Sequence, residues 1–194
     1  MRNPIRLYMS MPLDDHIAGP DDRPGQELGR DGGRLFNWLD DRNPDGPSGQ
    51  VYREALATGA LISGGTSPSS TWWVRTRIGT PSWWSPCRRR ASSKVRRPGH
   101  ARFVTDVDDC AHQARTAAGD RPVMVHGASA AQALLRAGHL DEMEIHLIPV
   151  LLGEGRRLFD HLGTGHIELD LVRRLDDRDV THLPYRVHRS EGSA

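Results

Sequence analysis

The clearest ligand-binding motif in the sequence is the turn Gly127-Ala128-Ser129, inside the stretch VMVHGASAAQALLRAG. An apolar segment, predicted to be a strand, leads through Gly127 into the first turn of a predicted helix. Glycine lets a ligand approach the backbone closely, and a helix N-terminus offers free N–H groups to a phosphate. A plain strand-to-helix turn can have the same residues, and a single Gly-Ala-Ser is less specific than a full GxGxxG motif. Spacing alone therefore leaves both a phosphate site and a simple structural turn open.

A second motif of this kind is the loop Gly153-Glu154-Gly155 in HLIPVLLGEGRRLFD. The loop follows an apolar strand that is predicted over residues 143–151. Ligands of open α/β sheets bind beyond the carboxyl ends of the strands, so a glycine-rich loop at such an end is a candidate binding element. A tight turn that leaves the sheet would explain the same glycines.

The elements that would position these loops alternate between strands and helices, and residues 12–33 are predicted as a loop. Helices are predicted over 48–58, 109–118 (with Asp108 as the N-cap) and 129–137. Strands are predicted over 4–11, 60–63, 102–105, 122–125, 143–151, 167–175 and 180–187. The last two would form an antiparallel pair joined by the polar turn 176–179. This pattern predicts an α/β fold, in a single domain over residues 1–194, with a mixed, mostly parallel sheet that ends in an antiparallel hairpin.

Composition and charge exclude several classes of protein. The chain has 194 residues, 37% of them hydrophobic, and a formal net charge of +1, which suits one well-buried core. There is no run of about 18 apolar residues, so no membrane contact is expected. The two cysteines, Cys87 and Cys110, lack metal-ligand spacing, and the N-terminal sequence does not resemble a secretory leader. A cytoplasmic location is therefore expected.

Three stretches together resemble the dihydrofolate-reductase-like family, which includes the reductase domain of the bifunctional riboflavin-biosynthesis deaminase/reductase. They are LYMSMPLDDHIAGPDD, PVMVHGASAAQALLRAGHLDEMEIHLIPVLLGEGRRLF and THLPYRVHR. The resemblance implies a three-layer α/β/α domain that binds NADPH and reduces a small heterocyclic, pterin- or pyrimidine-like substrate by hydride transfer. In such an enzyme the cofactor carries the chemistry, and the protein supplies orientation and electrostatics.

The resemblance also implies roles for individual residues. Asp14 would lie near the substrate and is the one carboxylate predicted to handle protons, although it could instead cap its own turn. Ile17 and Ala18 would line the nicotinamide side of the cleft. The residues that would hold cofactor phosphates or border the cleft are Gly64, Gly127, Ala128, Ser129, Val150, Leu152, Gly153 and Gly155. In the first loop, Pro12 replaces the usual serine and Asp15 replaces the usual glycine, which would strain Asp15 if the turn needs a positive φ.

Residues 65–97 break the resemblance. In the family, the strand that ends at Gly64 continues Arg-x-Thr-Phe-Glu, whose arginine and threonine hold phosphates of the dinucleotide. Here residues 65–100 contain eight basic residues, no acidic residue and four of the five tryptophans. The favoured hypothesis is a stretch translated out of frame between two compensating insertions or deletions in the gene. An irregular surface insertion is a second interpretation, and a nucleic-acid-binding segment that uses arginine–phosphate contacts and tryptophan stacking is a third.

Two further functions stay open beside the reductase. The chain could be a non-catalytic nucleotide-binding relative, since each lost charged hydrogen bond to a phosphate costs about 1.5–3 kcal/mol, or a nucleic-acid-associated protein, which ranks last. The zinc signature of the deaminase half does not occur, so no metal site is predicted. The histidines predicted to lie on the surface are His161, His166, His182 and His188. The expected partner is a small-molecule substrate, and homodimer formation is left open.

Overall fold

A computed structural model describes residues 2–23, 25–64, 72–76, 101–163 and 165–188 of the chain. Eleven strands occur in these ranges: β1 (Ile5–Met11), β2 (His16–Ala18), β3 (Ala60–Gly64), β4 (Trp72–Thr76), β5 (Ala101–Val104), β6 (Val123–His126), β7 (Glu142–Leu147), β8 (Arg156–Arg157), β9 (Leu169–Leu171), β10 (Leu175–Asp177) and β11 (Val180–Val187). The helices are a 3₁₀ turn (Gly32–Phe36), α1 (Asn37–Asp40), α2 (Pro47–Leu56), α3 (Val107–Ala118) and α4 (Ala128–Arg136).

Nine of these strands form one mixed sheet in the order β10-β11-β7-β1-β6-β3-β4-β5, with β9 also paired to β11. Strands β7, β1, β6 and β3 pair in parallel at its centre. The antiparallel pairings of β4 and β11 make these the two described strands that run against the others. The predicted mixed, mostly parallel α/β sheet with a C-terminal antiparallel hairpin is therefore confirmed.

Alternation along β1 shows how helices cover both faces of the sheet. Ile5, Leu7 and Met9 are buried in a large apolar core together with residues of α3 and α4. Tyr8 points to the opposite face and packs with Ala55 of α2. Because successive side chains of a strand point to opposite faces, the two helix pairs must lie on opposite sides of the sheet. This arrangement is the three-layer α/β/α architecture that the resemblance implied.

Local signals explain where the helices begin. The N-cap of α3 is Asp106, whose carboxylate accepts a hydrogen bond from the Asp109 N–H at 2.9 Å, so the prediction that Asp108 caps this helix is wrong. Asp106 has the extended backbone that an N-cap needs, whereas Asp108 already lies within the first helical turn. Helix α4 begins directly after Gly127, whose φ of 95° is favourable for glycine.

Several boundaries differ from the prediction. Strand β7 ends at Leu147 rather than at 151, because Pro149 has no N–H for a ladder and the Val150 N–H instead bonds back to the Ile148 carbonyl at 2.8 Å. The predicted loop 12–33 contains β2 and the start of the 3₁₀ turn. The region 167–175 is two short strands that both pair with β11, and the turn after β10 is shorter than predicted.

The segment 65–97 lies largely outside the described residues. The exception is β4, which pairs antiparallel with β3 and β5 and buries Val74. The hypotheses of a frame change, an insertion or a nucleic-acid-binding surface rest on the sequence of this segment alone. Within the described ranges, none of the helices has both the length and the apolar character needed to cross a membrane.

Candidate functional site

The candidate site lies at the edge of the sheet where the central parallel strands end. Strands β1, β3, β6 and β7 run in the same direction, so the loops that follow their carboxyl ends meet at one edge. The strand ends and loops at this edge carry Asp14, Gly64, Gly127 and Gly153, all of which were predicted site residues. The edge is the position where open α/β sheets bind their ligands.

The end of β3 touches the first turn of α4. A Cβ on Gly64 would lie 1.9 Å from Ser129 Oγ, so a larger residue at this position would require the Ser129 hydroxyl to turn away. A Cβ on Gly127 would meet nothing within 4 Å, which leaves open space in front of its backbone. Ser129 is exposed, whereas the Ala128 side chain is buried. The fold therefore brings four predicted residues together around a helix N-terminus that has open space beside it.

The first loop and the glycine-rich loop form a second contact at the same edge. Ala18 of β2 pairs with Arg156 of β8, and a Cβ on Gly155 would lie 1.9 Å from the Ala18 carbonyl oxygen. The Gly153 N–H donates a 2.7 Å hydrogen bond to Asp14 Oδ2. The two loops that the sequence assigned to one cleft are thus in direct contact.

Asp14 anchors these loops. Burial raises the pKa of its carboxyl, but hydrogen bonds from the N–H groups of Gly153 and Leu152 outweigh that effect and hold the pKa below its ordinary value. An ionised carboxylate accepts hydrogen bonds and has no proton to give at neutral pH. Asp14 therefore bridges the first loop and the Gly153 loop, and its role in proton handling stays a prediction.

Asp15 connects the first loop to α4. Its φ is 66°, the positive value that the family's glycine would accommodate without strain. Its carbonyl accepts a hydrogen bond from the Leu158 N–H at 3.0 Å, and the Leu158 carbonyl accepts one from Gln132 Nε2 at 2.9 Å. Because Gln132 belongs to α4, this chain of contacts joins the loop cluster to the helix that Gly127 opens.

The apolar residues assigned to the cleft face inward. The Ile17 and Ala18 side chains are buried, and Ile17 belongs to the large core beside α3 and α4. Val150 and Leu152 are partly buried against a smaller cluster under α1. At Ile17 and Ala18, the backbone rather than the side chain is the group that a ligand could contact.

The sequence did not indicate a buried polar cluster on the α2 face of the sheet. Glu144 and His146 of β7 and His182 of β11 are all buried, so the prediction that His182 is a surface residue is wrong. Strand pairing places His182 directly opposite His146, and residues so far apart in sequence give no local signal of this contact. By contrast, His161, His166 and His188 are exposed, as predicted.

Burial dominates the electrostatics of this cluster. It raises the pKa of Glu144 to about 7, an effect that Arg173 and Arg6 partly offset. Burial also lowers the pKa of His182 to about 4. Burial and the neighbouring His182 together hold the pKa of His146 well below its ordinary value. Both imidazoles are therefore neutral at physiological pH.

The fold is an α/β domain that gathers glycine-containing turns at the carboxyl edge of a mixed sheet, the edge where open α/β sheets bind ligands. The chain belongs to the family of the RibD C-terminal domain, whose model matches residues 85–187, just over half of the sequence. This match confirms the resemblance to the riboflavin-biosynthesis reductase family.

Solved structures of similar fold support the same architecture. A Shewanella sp. PV-4 protein described as a riboflavin biosynthesis protein superposes with a TM-score of 0.56 and 20% identity, over 97% of this chain and 100% of that chain. RibD of Acinetobacter baumannii superposes with a TM-score of 0.53 and 15% identity, over 96% of this chain and 58% of that chain. The third structure is a Thermotoga maritima diaminohydroxyphosphoribosylaminopyrimidine deaminase/5-amino-6-(5-phosphoribosylamino)uracil reductase. Its TM-score is 0.53 and its sequence identity 12%, over 96% of this chain and 57% of that chain.

This chain thus spans just over half the length of the Acinetobacter and Thermotoga proteins. Among curated proteins, none matches the sequence.

Proposed function

We propose that this protein is an NADPH-dependent reductase that transfers a hydride to a small heterocyclic, pyrimidine-like substrate. Membership of the RibD C-terminal domain family supports a reductase of this kind. The observation that carries the proposal is the meeting of two glycine-containing turns at the carboxyl edge: Gly64 against Ser129 at the start of α4, and Gly155 against Ala18.

The residues at the start of α4 suit a phosphate group. The Ala131 N–H bonds to the Gly127 carbonyl, so the N–H groups of Ala128, Ser129 and Ala130 precede the first helical hydrogen bond and can face a ligand. The open space beside Gly127 is where a pyrophosphate would lie, since helix N-termini favour anions. When bound, the nicotinamide cofactor would supply the hydride.

The first loop would place the nicotinamide against the substrate. Asp14 ties the Gly153 loop to the first loop, and the backbone of Ile17 and Ala18 would border the ring. The arginine that the family has after Gly64 does not occur in this sequence. Losing one charged hydrogen bond of this kind weakens binding by about 1.5–3 kcal/mol, so we expect NADPH affinity below that of relatives that keep the arginine.

Ser129→Asp tests the phosphate site without harming the helix. Titration of the wild-type chain with NADPH, followed by cofactor fluorescence, should saturate below millimolar concentration. An aspartate in the first turn is favourable to a helix but repels a phosphate, so we expect roughly 10-fold or greater loss of affinity, about 1.4 kcal/mol or more.

Ser129→Asn is the matched control, because it has nearly the same size and no charge. It should bind NADPH within about 3-fold of the wild-type protein, less than 1 kcal/mol. Failure of the wild-type chain to saturate at millimolar NADPH, or equal affinities of the Asp and Asn variants, would contradict the proposed site.

Turnover separates a reductase from a non-catalytic relative. The compound to offer is 5-amino-6-(5-phosphoribosylamino)uracil, the substrate that the name of the Thermotoga protein specifies. Consumption of NADPH that depends on this compound supports catalysis. Saturable NADPH binding without consumption would favour a non-catalytic nucleotide-binding protein.

A further inference from the structure

The buried polar cluster on the α2 face has the composition of a metal site. Strand β7 directs Glu144 and His146 to one face because they are two residues apart, and the register of β11 places His182 beside His146. One ligand atom from each of the three side chains can be chosen so that all lie within 4.8 Å of one another. All three residues are almost completely buried, at 0%, 1% and 0% exposure, respectively.

The hydrogen bonds around the cluster do not satisfy it. Within the described part of the chain, neither carboxylate oxygen of Glu144 has a hydrogen-bond partner, and neither does His146 Nε2. A buried carboxylate without a partner costs free energy that a folded protein rarely leaves uncompensated. The buried Glu144 carboxylate therefore lacks a hydrogen-bond partner among the described residues, and a bound cation would compensate it.

The two imidazoles face each other through Nδ1 within hydrogen-bond distance, and a metal ion bound between them would replace that hydrogen bond. Their Nδ1 atoms are 3.0 Å apart, close to the separation of about 3.3 Å that two nitrogens adopt on one tetrahedral zinc ion with bonds of about 2.0–2.1 Å. His182 Nε2 lies 3.0 Å from Ser48 Oγ, so donation of its N–H to the hydroxyl would leave the Nδ1 lone pair directed to the centre. A hydrogen bond to the far ring nitrogen is the usual way in which proteins orient a metal-binding histidine.

The side chain packed on the two imidazoles disfavours an organic ligand. The Trp38 ring packs with its centroid 4.7 Å from that of His146 and 4.9 Å from that of His182. Its Nε1–H donates a 3.0 Å hydrogen bond to Ser10 Oγ, which fixes the ring over the cluster. A heterocycle would have to displace this tryptophan, whereas a cation needs only the space between the three ligand atoms.

We propose that Glu144, His146 and His182 form a closed binding site for one divalent transition-metal cation, with Zn²⁺ as the best match. Two imidazoles and one carboxylate are ligands that zinc accepts in tetrahedral sites. Ser48 is a positioning residue in this arrangement, and the ion links β7 to β11. The site lies apart from the glycine-lined edge, and it does not rest on the proposed reductase function.

Metal titration of the untagged full-length chain tests the site. After dialysis against EDTA, the protein should take up one equivalent of Zn²⁺ in competition with a chromogenic chelator, and its melting temperature should rise with zinc concentration. Co²⁺ should give the intense visible absorption of a tetrahedral complex. No uptake of zinc, or a weak octahedral cobalt spectrum, would overturn the proposal.

Substitutions of the proposed ligands test where the zinc ion binds. His182→Gln and Glu144→Gln should weaken zinc binding by more than the roughly 10- to 100-fold that loss of an outer partner costs, and Ser48→Ala should fall within that smaller range. His188→Gln removes an exposed histidine just after the same strand and should bind as the wild type does. Equal affinities of His182→Gln and His188→Gln would refute the assignment. If a ligand variant does not fold, the cobalt spectrum of the wild-type chain still shows whether a tetrahedral metal site is present.

Discussion

The two faces of the central sheet differ sharply in what they bury. The face under α3 and α4 is an apolar core to which β1 contributes Ile5, Leu7 and Met9. The face under α1 and α2 contains a row of polar side chains across three neighbouring strands: Ser10, His146 and His182. One strand serves both faces, because its side chains alternate. The first face is an almost wholly apolar core, whereas the second combines smaller apolar clusters with polar groups whose burial needs another explanation.

Truncation on the apolar face should have the largest effect. Leu7 has no exposed surface, so Leu7→Ala removes buried methyl groups and leaves a cavity that the packed sheet cannot fill. We expect the free energy of unfolding to fall by about 2–5 kcal/mol, measured by urea denaturation. Leu171→Ala, at a largely exposed leucine, is the control and should change it by less than about 0.5 kcal/mol. A loss below about 1 kcal/mol for Leu7→Ala would show that this face is not the stabilising one.

Replacement on the polar face should act in the opposite direction. In chelator-treated protein at pH 8, Glu144→Met removes a buried carboxylate whose oxygens have no hydrogen-bond partner among the described residues. We expect the free energy of unfolding to rise by about 1–3 kcal/mol, because the desolvation penalty disappears and a side chain of similar size remains. Urea denaturation of both proteins in EDTA measures the difference.

Glu142→Met is the matched control two residues earlier on the same strand. Glu142 accepts a 2.6 Å hydrogen bond from Arg6 Nε, so its loss leaves a partly buried guanidinium without that partner and should lower the stability. If Glu144→Met destabilised the metal-free protein as much as Glu142→Met does, the buried Glu144 carboxylate would carry no uncompensated desolvation penalty.

The same contrast explains what could be predicted from the sequence. The turns at Gly127 and Gly153 could be predicted because each follows directly on an apolar run, so the whole signal lies within a few neighbouring residues. The family resemblance placed Asp14 and Gly153 near the same cleft, but their hydrogen bond was not predicted, since the sequence itself gives no measure of how the two loops approach each other. His182 was misplaced because its burial depends on pairing with β7, which no short window of sequence contains.

A local signal for the polar face was nevertheless present. In β7, the residues MEIHL alternate between apolar and polar side chains, yet the prediction treated this segment as an almost continuous apolar strand. An alternating strand at the centre of a sheet implies that its second face buries polar groups. Gly64 shows the other limit, because its close approach to Ser129 Oγ is a contact that only the folded chain reveals.

The smallest expected effect is on the reactivity of Cys110, the cysteine that the described residues place on the apolar face. Cys110 of α3 is 1% exposed, and burial, with a smaller contribution from Asp106, raises its pKa to about 11. At pH 8 the thiolate fraction is then about one in a thousand, so iodoacetamide should leave Cys110 unmodified in the native protein and modify it fully in urea. Peptide mapping by mass spectrometry distinguishes it from Cys87.

The pH dependence of this thiol also has a definite sign. Because its pKa is higher in the folded than in the unfolded chain, the unfolded state loses the proton first as the pH rises. Cys110 therefore lowers the stability between about pH 9 and pH 11, and Cys110→Ala should flatten the decline in this range. Rapid alkylation of native Cys110 at pH 8 would mean that α3 opens readily from the sheet, which would contradict the assignment of the stabilising core to this face.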